Sequence, residues 1–436
     1  MRPHRTAIAA ALAAAILAPG LARGAGYGIY EQGAAALGMA GAHTASVHDA
    51  SAAFYNPAAL VRLDGKQLYL GGTWLYTRTS FAGVDPYPGF GVSEEMEPGN
   101  FFPPTVYWTN HFAKNWAYGV SANAPFGLGV SWKDPDNFTG RDRVTKADLQ
   151  GLHGGFSLAW AASDRLSFGA GFDAIFAGVE LHQIQRELIP GGGGARANVA
   201  DVQLKASNKP GYGFNLATLW EANEQWKFGA YYRSQVDVEI DDGEATFEQI
   251  LTGDATFDAA VAAALPANQN DVQTTLHFPA MWSAGAAWTP VPAWTWELDF
   301  NWTQWTAFDE LKLTFPSASP AGSLDTTLPE DYEDSFRVSV GAEHRLARFA
   351  YRFGYYFDDA AAPTESVTPL LPDAPRHGVT IGYSRQLGEK KNWTLDWYDL
   401  ALFLEDRSTE GIERDGYNGT YKGFVNAMGL SLAYRW

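Results

Sequence analysis

The sequence predicts an all-β transmembrane barrel of fourteen antiparallel strands, with a small N-terminal helical hatch that plugs the lumen. Three observations predict this fold: strands with one apolar and one polar face, a regular succession of short turns and long loops, and a high aromatic content. The chain of 436 residues is 14% aromatic and has no cysteine. Membrane barrels place aromatic residues at both interfaces, and an exported chain without cysteine does not rely on disulfides.

The beginning of the chain has the layout of a secretory precursor. Arg2 and Arg5 precede an uncharged apolar run from Ala7 to Ala18, and Pro19 then interrupts it. This run is too short to span a bilayer, because a transmembrane helix takes roughly 20 residues. We therefore expect residues 1–24 to be a cleaved signal peptide.

Alternation along the later chain has the period of a strand, in which successive side chains point to opposite faces. The clearest case is 294–303. One face there consists of Trp294, Trp296, Leu298, Phe300 and Trp302, and the other of Thr295, Glu297, Asp299, Asn301 and Thr303. Similar alternation occurs at 166–174, 335–341, 349–358 and 427–436. Several strands with large aromatic residues on one face favour a barrel with its apolar face toward lipid and its polar face inward.

The connections between these strands predict the topology. Six are short and lie near 113–115, 162–165, 221–225, 289–293, 344–348 and 387–392. Seven are longer and rich in Gly, Pro, Asp and Asn, at about 79–102, 129–149, 181–210, 241–275, 306–331, 359–375 and 405–422. Short periplasmic turns and long extracellular loops are typical of outer-membrane barrels, and these numbers give fourteen strands.

The segment before the first strand does not alternate. Residues 25–66 are rich in Ala and Gly, with a helix start at His48-Asp49-Ala50-Ser51. A barrel of fourteen strands leaves a lumen that must be filled or form a pore, and low charge does not suit a solvated tail. We therefore expect a hatch at 25–66 and the barrel at 67–436.

Specific motifs in this order resemble the FadL family of outer-membrane channels for long-chain fatty acids and aromatic hydrocarbons. The first is "GMAGAHTASVHDASAAFYNPAAL", which contains Asn56-Pro57-Ala58. It is followed by "ANAPFGLGVSW" after the third strand, by "WELDFNWTQWTAFDEL" in the ninth, and by "RFGYYFDDAAAPTESVTPLLPDAPRHGVTIGYS" across strands eleven and twelve. The chain then ends on Trp436. The resemblance covers essentially the whole chain after residue 24.

The resemblance implies passive uptake of a hydrophobic substrate through a luminal pocket, with a lateral exit at a kink in the third strand. Pro125, Phe126 and Gly127 match the kink, and proline marks an edge, bulge or end of a strand. The alternative is simply the end of that strand. Asn56, Pro57 and Ala58 match the hatch, where the asparagine is implied to hold the hatch against the kink.

Further residues complete the expected site. The resemblance pairs the hatch asparagine with Asp358, or with Asp359 if the register differs, although Asp358 could equally form a luminal ion pair with Arg352. Arg141, Arg337 and Arg352 are candidates to hold a substrate carboxylate. Trp436 matches the terminal aromatic residue that the barrel-assembly machinery reads. Asp373 and Arg376, in "PDAPR", are expected to be loop structure.

Other functions were weighed against this one. The main alternative is a channel for aromatic hydrocarbons of the toluene type, and an outer-membrane hydrolase or a general porin is further from the pattern. No recognisable catalytic or metal-binding constellation occurs, and we expect no cofactor. The net charge of −18 argues against nucleic acid. We expect a monomer in the Gram-negative outer membrane whose partners are lipid, lipopolysaccharide and a hydrophobic or fatty-acid substrate.

Overall fold

A computed structural model describes residues 26–189, 193–265, 270–316 and 325–436. The predicted signal peptide lies outside the described residues. Fourteen strands form the barrel: β1 Gln67–Gly83, β2 Pro104–Ala113, β3 Trp116–Ser131, β4 Lys146–Ala161, β5 Leu166–Leu188, β6 Arg196–Glu221, β7 Trp226–Arg233, β8 Met281–Val291, β9 Trp294–Thr303, β10 Ser335–Arg345, β11 Phe349–Asp358, β12 Arg376–Leu387, β13 Trp393–Leu404 and β14 Gly419–Arg435.

Each barrel strand pairs antiparallel with its neighbours in the chain, and β14 closes the barrel on β1. This closing pair runs from Gln67 opposite Arg435 to Gly83 opposite Gly419. Closure leaves no open sheet edge along this seam, which a barrel in lipid requires. The predicted closed barrel of fourteen antiparallel strands is confirmed.

Smaller strands and helices lie in the loops between the barrel strands. Strand β7 continues as Val236–Gln249, and Asn270–Phe278 precedes β8. Short strands lie at Ser93–Glu95, Gly99–Phe101, Glu310–Leu313, Thr326–Pro329 and Arg407–Ser408, and single 3-10 turns lie at Trp305–Ala307 and Thr364–Ser366. A helix occupies Ala255–Ala264. Within the described ranges, no helix is long and apolar enough to cross a membrane.

The predicted turns lie where the chain reverses, but two predicted loops were too long. Strand β5 extends to Leu188 and β6 begins at Arg196, so most of the predicted loop 181–210 is a hairpin. Likewise, 241–275 contains the continuation of β7 and a helix. These parts carry polar residues on both faces, and the apolar alternation that marks a lipid-facing strand is therefore absent there.

The two faces of the barrel wall separate as predicted. Phe300 is 45% exposed on the outside, whereas the neighbouring Asp299 is fully buried on the inside. Trp296 and Leu298 alternate with the buried Glu297 in the same strand. Outward aromatic and aliphatic side chains suit a lipid surface, because bilayer and side chain are both apolar.

The N-terminal segment folds inside this barrel. It contains α1 Ala34–Gly38, α2 Ala52–Tyr55 and a 3-10 helix at Pro57–Arg62. Nearly all of these residues are buried. Inward glycines of the wall make room for its backbone: a Cβ on Gly354 would lie 2.6 Å from the amide nitrogen of Ala40, and one on Gly382 would lie 2.7 Å from the Cα of Gly38. The predicted hatch inside the lumen is therefore confirmed.

Candidate functional site

The barrel wall is interrupted beside the third strand. Pairing of β3 with β2 ends where Asn123 lies opposite Thr105, yet β3 continues to Ser131 with β4 as its remaining partner among the barrel strands. The register on β4 shifts between Asn123 and Phe126, so β3 has one extra residue there. Such a bulge bends the strand and terminates pairing on one side. It falls at Ala124 and Pro125, the position that the sequence suggested.

The edge of β3 that leaves β2 is taken up by the start of the hatch. The amide of Ile29 donates to the carbonyl of Pro125 at 2.8 Å, and the amide of Gly127 donates to the carbonyl of Tyr27 at 3.0 Å. The side chain of Gln32 donates to the carbonyl of Ala124 at 2.9 Å. The bulge therefore turns β3 inward, where its backbone hydrogen-bonds to the N-terminal segment instead of to the wall.

A cavity of about 510 Å³ lies beside this kink. Its apolar lining comes from the hatch start, the kink, β4 and the chain before β2, and includes Tyr27, Ile29, Phe101, Phe102, Phe126, Leu128, Leu149 and Leu152. Leu152 and Phe102 are 40% and 72% exposed, and Leu152 belongs to the outward face of β4. The cavity therefore reaches from the lumen to the outer surface of the barrel beside the kink.

The aromatic ring of Phe101 stands in this opening. A Cβ on Gly129 would collide with that ring, and one on Gly99 would lie 2.6 Å from it. Glycine at 129 therefore allows the ring to approach the backbone of β3 closely. Phe101 lies opposite the buried Leu75 of β1 and packs against the buried cluster that contains it.

Polar groups occupy the hatch end of the cavity. The Asp358 carboxylate accepts a hydrogen bond from Nε of Arg376 at 3.1 Å. The Asp373 carboxylate accepts from the amides of Ala361 and Ala362 at 2.7 and 3.1 Å. Glu31 lies at the same end and forms no hydrogen bond with another residue in the described ranges. Burial raises the pKa of both the Glu31 and the Asp373 carboxyl groups.

The Asn56-Pro57-Ala58 motif hydrogen-bonds to the wall at β5 and β6 and not to the kink residues. The Asn56 amide donates to the carbonyls of Thr44 and Thr218 at 2.7 and 3.2 Å, and its oxygen accepts from the amide of Ala58 at 3.1 Å. The carbonyl of Ala58 accepts from the Ser167 hydroxyl at 2.8 Å. Asn56 thus joins the hatch to β6, and Ala58 joins it to β5. The expected contact of Asn56 with the kink is corrected, because Gln32 makes that contact.

The structure also separates Asn56 from the expected acidic partner. Asp358 forms its ion pair with Arg376. Within the described part of the chain, Asp358 and Asn56 are not hydrogen-bonded to each other. The alternative pair with Arg352 is not formed either. The reason is the register of β11 and β12, which places Asp358 directly opposite Arg376. Asp359 lies next to it, with its amide donating to the carbonyl of Phe336 at 3.0 Å.

The three arginines predicted to hold a carboxylate do not line this cavity. Arg352 is buried between Glu343 and Asp396, with N···O distances of 2.7 and 3.1 Å. Arg337 lies over the rings of Tyr356 and Tyr30, at 3.6 and 4.5 Å from their centroids, and donates to the carbonyl of Ala40. These partners could not be predicted from the sequence, because all of them come from other strands or from the hatch.

Arg141 has a different position from the other two. It belongs to the extracellular loop between β3 and β4, where its side chain donates to Asn198 and to the carbonyl of Phe138. The basic residue that does line the cavity is Arg376, which the sequence analysis treated as loop structure.

Two wall carboxylates hold the hatch at its middle. The Asp299 carboxylate accepts from the amides of His43 and Thr44 at 2.9 Å each. The Glu297 carboxylate accepts from the amides of Ala45 and Ser46 at 2.5 and 3.0 Å. Both carboxylates are buried on the inner face of β9. Successive backbone amides that converge on carboxylates form charge-assisted hydrogen bonds, which are among the stronger ones in proteins.

A closed β-barrel with a lumen-filling hatch and a cavity open to its side has the architecture of an outer-membrane transport protein. The model of the family described as "Outer membrane protein transport protein (OMPP1/FadL/TodX)" matches residues 15–436. The chain therefore belongs to this family. Its family membership and its location in the outer membrane confirm the sequence predictions.

Relatives and solved structures agree with this assignment. The chain is 24% identical over 430 residues to "Long-chain fatty acid transport protein" of Escherichia coli O6:H1, covering 94% of each chain. It is 25% identical over 441 residues to "47 kDa outer membrane protein" of Pasteurella multocida, covering 99% of this chain and 98% of that one.

Two solved structures share the fold. The first, a Pseudomonas aeruginosa FadL homologue, superimposes with a TM-score of 0.82 at 19% identity, over 94% of this chain and all of that one. The second, the P. putida toluene transporter TodX, gives 0.71 at 16% identity, over 94% and 99%.

Proposed function

We propose that the chain is a passive channel that takes up hydrophobic compounds, either long-chain fatty acids or related lipophilic compounds. The observation that carries this proposal is the cavity that runs from the lumen to the outer face of the wall beside the kink at Pro125. The E. coli relative is named as a long-chain fatty acid transport protein.

Transfer along this route keeps an apolar substrate away from water. Each methylene moved into an apolar site gains about 0.8 kcal/mol, so a long chain would be held strongly by a closed pocket. A cavity that opens toward lipid offers the bound chain an equally apolar destination. Release then needs neither nucleotide hydrolysis nor exposure of the chain to the periplasm.

The residues predicted from the sequence have separate parts in this proposal. Pro125, Phe126 and Gly127 form the kinked edge of the exit. Asn56, Pro57 and Ala58 fasten the hatch to the wall. Asp358 lines the polar end of the cavity, and Asp359 follows it in the chain. Trp436 serves as the terminal residue that the barrel-assembly machinery reads. In this proposal the protein is a monomer without catalytic activity, and lipopolysaccharide surrounds its loops.

A channel for aromatic hydrocarbons is the second candidate. The cavity is lined by Tyr27, Phe101, Phe102 and Phe126, and the ring of Tyr27 packs edge-on against Phe126 with centroids 6.1 Å apart. Such edge contacts with aromatic rings would also be available to a monoaromatic guest. One similar solved structure is described as a toluene transporter.

Deletion of the gene, followed by uptake of radiolabelled oleate and of toluene, tests the proposal. We expect uptake of one or both to fall and to recover when the intact gene is returned. Unchanged uptake of both compounds, together with reduced uptake of small sugars, would contradict the proposal and support a general porin.

A further inference from the structure

The charges around the cavity bear on which hydrophobic compound it binds, an inference that rests on the proposed function. Five acidic side chains line the cavity, and Arg376 is the basic residue among its described lining. The acidic residues are Glu31, Glu97, Asp148, Asp358 and Asp373. Asp358 pairs with Arg376, whereas the other four form no ion pair with a basic side chain in the described ranges. Wherever these four are ionised they oppose entry of a carboxylate, because like charges in a site of low dielectric repel one another.

The one basic residue is already engaged. Nε of Arg376 lies 3.1 Å from the Asp358 carboxylate, and both side chains lie at the hatch end of the cavity. A bidentate or close ion pair leaves a guanidinium little attraction for a second carboxylate unless the first is displaced. Asp373, whose oxygen accepts from two backbone amides, stands beside this pair, and because burial raises its pKa it adds negative charge at higher pH.

Glu31 is the carboxyl group at the hatch end whose oxygens are available to hydrogen-bond to a ligand. It is 7% exposed, lines the cavity and forms no hydrogen bond with another residue in the described ranges, although Arg337 and Arg376 act on it electrostatically. A buried carboxyl group without such a partner costs free energy that a ligand's donor group can recover. The chemistry of this position suits a hydroxyl group.

We propose that the cavity binds uncharged lipophilic compounds with a hydroxyl head group next to Glu31, and that it discriminates against carboxylates of the same chain length. The apolar chain lies along Phe101, Phe126 and Leu149 toward the outer face of the wall. The head group stays at the hatch end, where it donates a hydrogen bond to Glu31.

Binding of tritiated 1-dodecanol and dodecanoate to the full protein in lipid nanodiscs tests the proposal, with empty nanodiscs measured to subtract partition into lipid. We expect dodecanol to bind at least about tenfold more tightly than dodecanoate. The ratio is measured at pH 9, because burial raises the pKa of Glu31. In Glu31→Gln it should fall to within about threefold, because removal of the charge tightens dodecanoate binding. Glu389→Gln, the same change in an exposed periplasmic turn, should leave the ratio unchanged.

The possible outcomes separate this inference from the proposed function. Tighter binding of dodecanoate than of dodecanol, or an unchanged ratio in Glu31→Gln, would overturn the inference while leaving a hydrophobic channel in place. Binding of neither compound above the empty nanodiscs, together with unchanged uptake in the gene-deletion strain, would overturn the proposed function as well. Circular dichroism and heat modifiability in gels confirm that each variant remains a folded barrel.

Discussion

The carboxylate of Asp299 should hold the channel closed by fixing the middle of the hatch. It accepts hydrogen bonds from the amides of His43 and Thr44, both at 2.9 Å, and all three groups are buried. A hydrogen bond to a charged group contributes about 1.5–3 kcal/mol. Asp299→Ala therefore weakens attachment of the hatch by about 3–6 kcal/mol before any compensation.

A neighbouring carboxylate reduces this estimate. A Cβ on Gly285 would meet oxygens of both Asp299 and Glu297, so the two carboxylates face the same small space. Removing one of them relieves their repulsion, and the lower end of the range, about 3 kcal/mol, is the better expectation. Since every 1.4 kcal/mol is a factor of ten, the population with a released hatch should rise about 100-fold.

Single-channel recording in planar bilayers measures this release. We expect Asp299→Ala to show frequent ion-conducting openings that the unaltered protein rarely shows, and deletion of residues 26–56 to conduct continuously. Asp173→Ala is the matched control, because that luminal carboxylate bonds to the wall residues His153 and Asn215 and not to hatch amides. The reasoning is refuted if Asp299→Ala stays as closed as the control while the hatch deletion conducts.

Two other predictions concern the kink and an extracellular loop. Deletion of Pro125 removes the extra residue of the bulge and should restore regular β3–β4 pairing. We expect the deletion variant to form a folded barrel that no longer takes up the hydrophobic substrate, whereas Pro125→Ala should retain uptake. Equal uptake by the two variants would contradict a lateral exit. Burial raises the pKa of Glu330 to about 8, although the positive charge of Arg414 acts to lower it. The folded loop therefore retains a proton on Glu330 that the opened loop releases above about pH 4.5. Stability of the described parts of this loop, 304–316 and 325–334, should therefore fall as pH rises from about 4.5 through 8. Deuterium exchange at pH 9 should show at least about tenfold more opening of this loop in the unaltered protein than in Glu330→Gln. Equal protection of the loop in the two proteins at both pH 6 and pH 9 would contradict this prediction.

Much of the barrel could be predicted from the sequence because its evidence is local. The alternation of apolar and polar residues at 294–303 predicts which side chains face lipid. The structure places Phe300 outside and Asp299 inside, as this pattern predicts. The extracellular hairpin of β5 and β6 was missed for the converse reason. Beyond the lipid both faces meet water or other loops, and no periodic apolar pattern is then required.

The candidate site was harder to predict because its contacts join distant parts of the chain. Pro125 was recognisable as a strand irregularity, but its partner is the backbone of Ile29, and a backbone contact leaves little trace in the sequence. Gln32 reaches Ala124, 92 positions away. Arg376 seemed to be part of a loop, whereas strand register brings it opposite Asp358 and makes it the basic residue that lines the cavity.

The N-terminal hatch both closes the lumen and supports the side opening. The axial route through the lumen and the lateral exit beside β3 therefore depend on the same segment. Residues 27–32 pair with the inward edge of β3, so they satisfy backbone groups that β2 would otherwise have to satisfy. If the hatch is released, Pro125 and Gly127 lose their partners in the lumen, and the bent edge loses the contacts that keep it away from β2. Opening the axial pore should therefore disturb the lateral exit. Asp299→Ala, which frees the hatch without altering β3, should increase ion conductance and at the same time reduce uptake of the hydrophobic substrate, whereas a hatch that acted only as a plug would increase both.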